Sequence, residues 1–241
     1  GHVHSLVDDA CSSCAIKSVC RSVFIGKRHP VYALPMNRRG SYAKGVAKRE
    51  EILTTALDVI AREGLRRTSV RELADAAGLS QAGLLHYFDS KEELYTAILR
   101  KRDEVDHAAH APRPESEGAP GDAAEAVLAS FLEIVRHNAD VPGLVQLFAH
   151  ISVDAAAPEH PAHEFFLDRQ RYLGELLIPA ITTLQAEGRI VDTIPAATLA
   201  TVVHALADGL QTHWLLDPNL DMAGTIDALL GALGPRQETT R

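Results

Sequence analysis

Apolar residues recur along the chain at three- and four-residue spacing, and no stretch of useful length alternates apolar with polar positions. Spacing of three and four places side chains on one face of an α-helix, whereas alternation indicates a β-strand. The pattern therefore predicts an all-α protein. Helices are expected at about residues 44–63, 70–77 and 81–87, then from about 91, 122, 142 and 161 onward, and finally at about 195–216 and 220–233.

Capping signals mark three helix starts between residues 68 and 91. Ser69 and Ser90 each stand three residues before a glutamate, which is the spacing of a capping box, and Ser80 is a good N-cap. Gly78 is expected to end the helix at 70–77, because glycine takes the left-handed conformation without steric cost. Two capped helices across a short glycine turn predict a helix-turn-helix, whose second helix enters the major groove of DNA.

The region from Ala47 to Leu99 holds three motifs in fixed order: an Ala-rich amphipathic helix ending in REG, the segment TSVRELADAAGLS and the closing HYFDSKEEL. Together they resemble the DNA-binding domain of the TetR family of bacterial transcriptional regulators. Leu85 stands where the family usually has tyrosine, and Gly83 where it often has threonine or serine. These departures leave the expected fold intact and change the expected contacts to bases and phosphates.

The resemblance and the helical pattern divide the chain into three parts. Residues 1–43 form an extension with a basic arm, 44–92 the helix-turn-helix domain, and 93–241 a helical domain for effector binding and dimerisation. The formal net charge is −8, yet residues 1–102 carry 17 lysines and arginines against 11 acidic residues, while residues 103–241 carry 7 against 21. A basic front and an acidic rear suit a DNA-binding module fixed to a body that avoids phosphates, although mixed surfaces also divide this way by chance.

The front of the chain is expected to be a processed or engineered extension, because it begins Gly-His and Met36 would make a natural start. A Cys-x-x-Cys spacing there is one that zinc sites use, but without a second pair the thiols are expected to be reduced and free of metal. The residues concerned are Cys11, Cys14 and Cys20, with His2, His4 and His29. The basic arm that follows either lies along DNA or is a solvated tail; it comprises Arg38, Arg39, Lys44, Lys48 and Arg49.

The predicted contacts to DNA cluster around the two helices of the helix-turn-helix. The Ser80 hydroxyl can cap a helix or bind a phosphate, and Gln81 can pair in bidentate fashion with adenine. Lys91 opposes the dipole in the first turn of its helix, which a phosphate would relieve; it can also be a solvated surface residue. Tyr87 can instead pack in the core. The full set is Thr68, Ser69, Arg71, Ser80, Gln81, Ala82, Gly83, His86, Tyr87 and Lys91.

The resemblance implies that helices four to eight enclose a site for a small effector whose binding moves the DNA-binding domains apart. Aromatic residues there can line an apolar cavity and histidines can act as polar handles, although each can equally belong to an ordinary core. The candidates are Phe131, Phe148, His150, Phe165, Phe166, Tyr172, His204, His213 and Trp214. No carboxylate and histidine set has metal-ligand spacing, so no metal or cofactor is expected.

The last two helices carry wide apolar stripes next to small residues that permit close helix approach. In the family that the chain resembles, these helices pack against a second copy as a four-helix bundle, and the segment from Ala205 to Pro218 looks like its dimerisation segment. The same stripes would also serve an intrachain core; a dimer is favoured because two-fold pairing doubles the contact with DNA. The predicted interface is Leu199, Val203, Leu206, Leu210, Trp214, Ile226, Leu229, Leu230 and Leu233.

These features favour a homodimeric repressor that binds a palindromic operator in double-stranded DNA and is released by a small-molecule effector. One alternative is a DNA-binding dimer whose body binds a protein partner or serves dimerisation alone. Another is an all-α enzyme, which the sequence disfavours because it has no nucleophile motif, glycine-rich phosphate loop or zinc-hydrolase helix. No apolar run approaches the roughly 18 residues of a membrane span, and no signal peptide is recognisable, so a soluble cytoplasmic protein is expected.

Overall fold

The structure, a computed structural model, describes residues 39–111 and 119–234, with side chains from residue 43. These ranges contain helices and no strand, which confirms the all-α prediction. The helices are α1 (Arg39–Glu63), α2 (Val70–Ala76), α3 (Gln81–Leu85), α4 (Lys91–His110), α5 (Pro120–His137), α6 (Pro142–Asp154), α7 (His163–Ala186), α8 (Ala196–Leu216) and α9 (Met222–Ala232). The cysteines, the histidines grouped with them, Met36, Arg38 and most of the Pro- and Gly-rich loop before α5 lie outside the described residues.

A first hydrophobic core joins the helix-turn-helix to the helices behind it. Ile52 and Ile60 of α1, Leu94 and Ile98 of α4 and Leu147 of α6 are all buried in it. The spacing of these residues along each helix places them on one face, as the amphipathic pattern requires. This core continues across the boundary predicted between residues 92 and 93, so helices α1 to α3 share one hydrophobic core with α4 and α6.

A second core lies among α5, α7, α8 and α9. Leu177 and Ile181 of α7, Val203 of α8 and Ile226 of α9 are fully buried there. Pro179 lies inside α7, and the helix continues through it. This core holds the helices of the rear body together and leaves the outer faces of α8 and α9 exposed.

The start of α6 touches the end of α1 backbone to backbone. Gly143 is the second residue of α6, and a Cβ there would clash with the carbonyl oxygen of Ile60 and lie 2.8 Å from the Cα of Gly64. Only glycine fits without displacement, because the atoms that a side chain would meet belong to the main chain. The helix-turn-helix and the rear body are therefore in direct contact at this point.

Arg102, in the middle of α4, ties α4 to the same region. It is 5% exposed, and its guanidinium donates to the Leu144 carbonyl at 3.5 Å and to the side-chain oxygen of Asn138. Its Nε lies 3.4 Å from Asp106, and the group stacks 6.0 Å from the Phe148 ring. Burial lowers the pKa of Arg102, an effect that the nearby aspartates oppose.

None of the described helices combines the length and the apolarity that crossing a bilayer requires.

Candidate nucleic-acid interface

The start of α2 is fixed by the predicted capping box. The Ser69 hydroxyl accepts from the Glu72 amide at 3.2 Å, and the Glu72 carboxylate accepts from the Ser69 amide at 2.6 Å. These bonds to Ser69 lower the pKa of Glu72, so its charge stays at the helix start. Ser69 is exposed, and its hydroxyl serves as an acceptor in this capping box.

Thr68 does not have the role predicted for it. The residue is 4% exposed, and its hydroxyl donates to the Gly64 carbonyl at 2.8 Å. The threonine thus closes the short 3₁₀-helix at Leu65–Arg67 instead of facing solvent. The side chain of Thr68 is therefore withdrawn from the predicted phosphate contacts.

The turn between α2 and α3 closes as a Schellman motif. Gly78 takes a left-handed conformation with φ 69°, its amide donates to the Asp75 carbonyl at 3.1 Å, and the Leu79 amide donates to Ala74 at 2.8 Å. This is the glycine-dependent geometry that the sequence predicts. It sets the direction in which α3 leaves the turn.

Helix α3 presents a short polar face and buries a short apolar one. Ser80 caps it by accepting from the Gly83 amide at 3.0 Å, and Leu84 anchors it in the first core. Gln81 and Ala82 are exposed on the opposite face, next to half-buried Gly83. The predicted recognition residues at the start of the helix therefore face outward.

The recognition helix is shorter than predicted, because α3 ends at Leu85 instead of near Tyr87. A tight turn follows, in which the Tyr87 amide donates to Leu84 and Phe88 is buried. His86 is exposed and Tyr87 half-buried, with their rings in edge contact. Both residues thus belong to the turn after α3 and not to its helical face.

Lys91, the first residue of α4, is exposed and points its ammonium group toward the Tyr95 ring at 5.3 Å. Ser90 caps the helix through the Glu93 amide at 3.0 Å, but the Glu93 carboxylate accepts from Asp89 instead of closing the predicted box. The carboxylate also pairs with Arg49 of α1 at 2.8 Å. The Glu93 carboxylate is therefore engaged by Asp89 and Arg49 and not by Lys91.

Two arginines that the sequence analysis passed over extend the polar face. Arg66 and Arg67 are exposed beside Ser69 and line a groove of about 820 Å³ between the end of α1 and the start of α2. Arg71 of α2 is also exposed, with its Nε 3.9 Å from Asp75. The signal was a pair of adjacent arginines directly before the capped helix, where phosphate-binding groups are favoured.

The predicted basic arm is only partly available for DNA. Lys48 donates to the Ala77 carbonyl at 3.1 Å, and thereby caps the end of α2. Arg49 pairs with Glu93 and stacks on Phe88 at 4.6 Å. Lys44 is exposed, whereas the side chain of Arg39 lies outside the described part. Lys48 and Arg49 therefore stabilise the domain itself.

The predicted effector residues do not gather around one cavity. Phe148, Phe165 and Phe166 form an aromatic group in or against the first core, whereas Phe131, Tyr172 and Trp214 belong to the second. His150 and His213 are exposed, because each lies on the outer face of its helix. Of the histidines, His204 is turned inward, 3.2 Å from the Asp208 carboxylate.

Most of the predicted dimer residues are already covered by their own chain. Six are buried in the second core: Leu199, Val203, Leu210, Trp214, Ile226 and Leu230. Leu206, Leu229 and Leu233 are not fully buried, and Leu206 and Leu233 pack against that core. The wide apolar stripe of α8 and α9 is thus the intrachain face, so its buried members cannot also meet a second copy. Any interface between helices of two copies must therefore use the opposite, exposed faces of α8 and α9.

The helix-turn-helix region matches a described protein family. Residues 52–98 match the family described as bacterial regulatory proteins, tetR family. The HTH-type transcriptional repressor KstR2 of Rhodococcus jostii is 49% identical over 53 residues, which cover 22% of this chain and 26% of that protein. KstR2 of Mycobacterium tuberculosis is 36% identical over 104 residues, covering 39% of this chain and 48% of that protein. The chain thus matches less than half the length of these curated relatives.

Solved structures resemble the fold over a longer stretch. The crystal structure of AibR in complex with isovaleryl coenzyme A and operator DNA has a TM-score of 0.56 at 21% identity, and covers 78% of this chain and 98% of that chain. At this identity the likeness concerns the fold alone. It agrees with an N-terminal helix-turn-helix domain followed by a helical body.

Proposed function

We propose that this chain is a member of the tetR family of bacterial regulatory proteins and acts as a homodimeric repressor of transcription in the bacterial cytoplasm. It binds a palindromic operator through residues 44–92 and is released when a small molecule binds residues 93–241. The observation that carries the proposal is the capped, outward-facing start of α3, with Ser80 and Gln81 exposed above buried Leu84. The names of its relatives describe transcriptional regulators, so we assign it no catalytic role.

The DNA contacts divide into those that read bases and those that hold phosphates. In this proposal Gln81 reads a base edge, and Ala82 and Gly83 let the α3 backbone come close to the groove. Ser69, Ser80 and Arg71 remain proposed phosphate contacts, as do Lys91 and the edge residues His86 and Tyr87. Arg66 and Arg67 join the phosphate set. Phosphate contacts fix the protein on the duplex, whereas Gln81 selects the sequence.

The dimer forms, in this proposal, through the outer face of α8. That face carries small and apolar residues at alternating four- and three-residue spacing, all exposed: Thr198, Val202, Ala205, Gly209, Thr212 and Leu216. This spacing is that of a heptad seam, and its small residues permit close helix contact. A two-fold pair would present two α3 helices to the two halves of a palindrome.

The proposal is tested by titrating the full chain with the DNA that flanks its own gene, with and without a panel of small apolar and aromatic compounds. Gln81→Ala should reduce discrimination against mismatched operators by about 1–3 kcal/mol. Lys91→Ala should weaken binding to all sequences and lower the salt slope by about 1. Arg171→Ala, on the exposed side of α7, is the control. Unchanged binding in both α3–α4 variants contradicts the site, and binding that no compound disturbs favours a partner-controlled dimer.

A further inference from the structure

Helices α4, α7 and α8 contribute to a partly buried polar cluster that the DNA-binding proposal does not use. It consists of Asp103 from α4, Arg169 and Tyr172 from α7, and His204, Asp208 and Gln211 from α8. The cluster lies behind the first core, one residue along α4 from Arg102. Buried polar groups are normally satisfied by hydrogen bonds, so a cluster that is not satisfied calls for a physical reason.

Contacts inside the cluster are long. Asp208 is its centre, with the His204 Nε2 at 3.2 Å, the Gln211 Nε2 at 3.4 Å and the Arg169 Nη2 at 3.7 Å from its carboxylate oxygens. Arg169 reaches Asp103 at 3.6 Å. Separations of 3.6 Å and more are ion-pair distances and not hydrogen bonds. The Nε of Arg169 is buried without an acceptor among the described residues.

Gln211 has the clearest unmet requirement. It is 2% exposed, and its Oε1 receives no hydrogen bond from any described residue. The amide cannot be turned over to correct this, because the Asp208 carboxylate only accepts and so requires the Gln211 nitrogen beside it. The oxygen is therefore a buried acceptor, on the amide that contacts Asp208, for which no described residue supplies a donor.

The charges of the cluster do not balance. Two carboxylates, Asp103 and Asp208, face the single guanidinium of Arg169, while Arg102 is engaged with Asp106 and Asn138. Burial lowers the pKa of His107, which stacks on Tyr172 at 4.6 Å, and burial raises the pKa of the Tyr172 phenol. Both groups are thus held neutral near neutral pH. The arginine and the two aspartates of the cluster together carry one negative charge in excess.

We propose that this cluster is the effector site and that the effector is a protonated amine with an apolar or aromatic body. Its N–H groups donate to the Gln211 Oε1 and the Asp208 carboxylate, and its charge balances the second aspartate. The inference rests on the proposed function, because it names the class of molecule that releases the operator.

Other ligand classes fit the cluster less well. A carboxylate or phosphate would meet Asp103 and Asp208, and their repulsion would oppose the attraction of one arginine. A metal ion needs several close donors, and no group of three or more histidine, cysteine or acidic side chains among the described residues can hold one. A neutral alcohol can satisfy Gln211 but leaves the excess charge.

The site also has a physical connection to the DNA-binding helices. Asp103 lies on α4 directly after Arg102, which holds the start of α6 through the Leu144 carbonyl. Gly143, the residue before Leu144, rests on the end of α1. A ligand that displaces Asp103 therefore displaces α4, the helix that begins at Lys91.

The test uses three probes of similar size and different charge: 2-phenylethylamine, 2-phenylethanol and 3-phenylpropionate. Binding to the full dimer without DNA is measured by calorimetry and by the change in melting temperature, and release of operator DNA is measured separately. We expect saturable binding of the amine alone. Gln211→Leu and Asp208→Asn should each weaken it at least tenfold, and Asp192→Asn, an exposed residue outside the helices, should not change it.

Gln211→Leu also separates a binding role from a structural one. Because the leucine removes a buried acceptor without a donor, the ligand-free variant should melt at or above the temperature of the parent chain while losing the amine. Binding of the acid in place of the amine, no binding of the amine at millimolar concentration, or equal amine binding by Gln211→Leu would each overturn the inference. Failure of the parent chain to bind operator DNA would contradict the proposed function instead. Amine binding measured without DNA would then still show whether the cluster is a binding site.

Discussion

At the scale of single residues, Arg102 shows how one buried charge can organise a junction between helices. Its guanidinium connects α4 with the Leu144 carbonyl and Asn138, and it neutralises Asp106, which is 6% exposed. A buried ion pair gives little net stability compared with apolar residues, but removing one partner leaves the other charge uncompensated. The main effect of Arg102 is therefore to compensate the buried Asp106 charge, and its net contribution to stability is small.

Arg102→Met is expected to destabilise the chain by about 3–5 kcal/mol, because it leaves the buried Asp106 carboxylate without its cation. Urea unfolding of the variant and the parent gives this free energy directly. Arg171→Met, which removes an exposed arginine of α7 paired with Asp168, should change stability by about 0–1 kcal/mol. A loss for Arg102→Met no larger than that of Arg171→Met would contradict the assigned role.

Sequence reasoning located individual site residues where a local signal existed, and missed them where the signal was spatial. Ser69, Gly78 and Ser80 were predictable, because the signals for caps and turns lie within a few residues of sequence. Thr68 was not, since only the fold shows that its hydroxyl turns inward. The cluster at Asp208 draws its members from three helices far apart in sequence, so no spacing rule could have assembled it.

At the scale of elements, periodicity located every described α-helix but not the face that each one buries. Helix α8 is apolar or small around much of its circumference, and the sequence assigned its leucine-rich side to a second copy. The structure buries Leu199, Val203 and Leu210 inside the chain, because large side chains fill a core better than small ones. The predicted end of α3 lay too far along the chain for a similar reason. Tyr87 continues the helical spacing, but the chain leaves the helix earlier because Phe88 is buried in the core before Ser90 caps α4.

The contact between α6 and α1 should be the element most sensitive to a single methyl group. Gly143→Ala places a Cβ against the main chain of Ile60 and Gly64, which cannot rotate away, so we expect a loss of about 1–3 kcal/mol in unfolding free energy. Gly174→Ala on α7 makes the same substitution with only Ile178 nearby at 3.8 Å, and should be neutral or stabilising by up to about 1 kcal/mol. Chemical denaturation of both variants measures the difference, and equal stabilities would show that α6 does not rest on α1 as described.

At the scale of the whole molecule, the distribution of exposed apolar residues bears on assembly. Val202 and Leu216 stand on the outer seam of α8 among small residues, whereas Val153 is exposed alone near the end of α6. Isolated exposed apolar residues are ordinary, but a continuous stripe at heptad spacing marks a surface for another helix. Two valines in similar local settings thus have different expected roles.

Val202→Glu is expected to convert the proposed dimer to a monomer, because in that dimer it would bury a carboxylate at the α8 seam. Val202 is 46% exposed in the single chain, so the fold of each protomer should survive the change. Val153→Glu, at a site 75% exposed, makes the identical substitution away from the seam and should leave the dimer intact. Light scattering after size-exclusion chromatography separates the two outcomes, while the helical signal in circular dichroism confirms that both variants fold.

A monomeric Val202→Glu variant should also bind a full palindrome far more weakly than the parent, since each protomer then binds its half-site alone. If Val202→Glu remains dimeric, the partner face lies elsewhere on the helical body, and the α8 seam is only a small-residue surface.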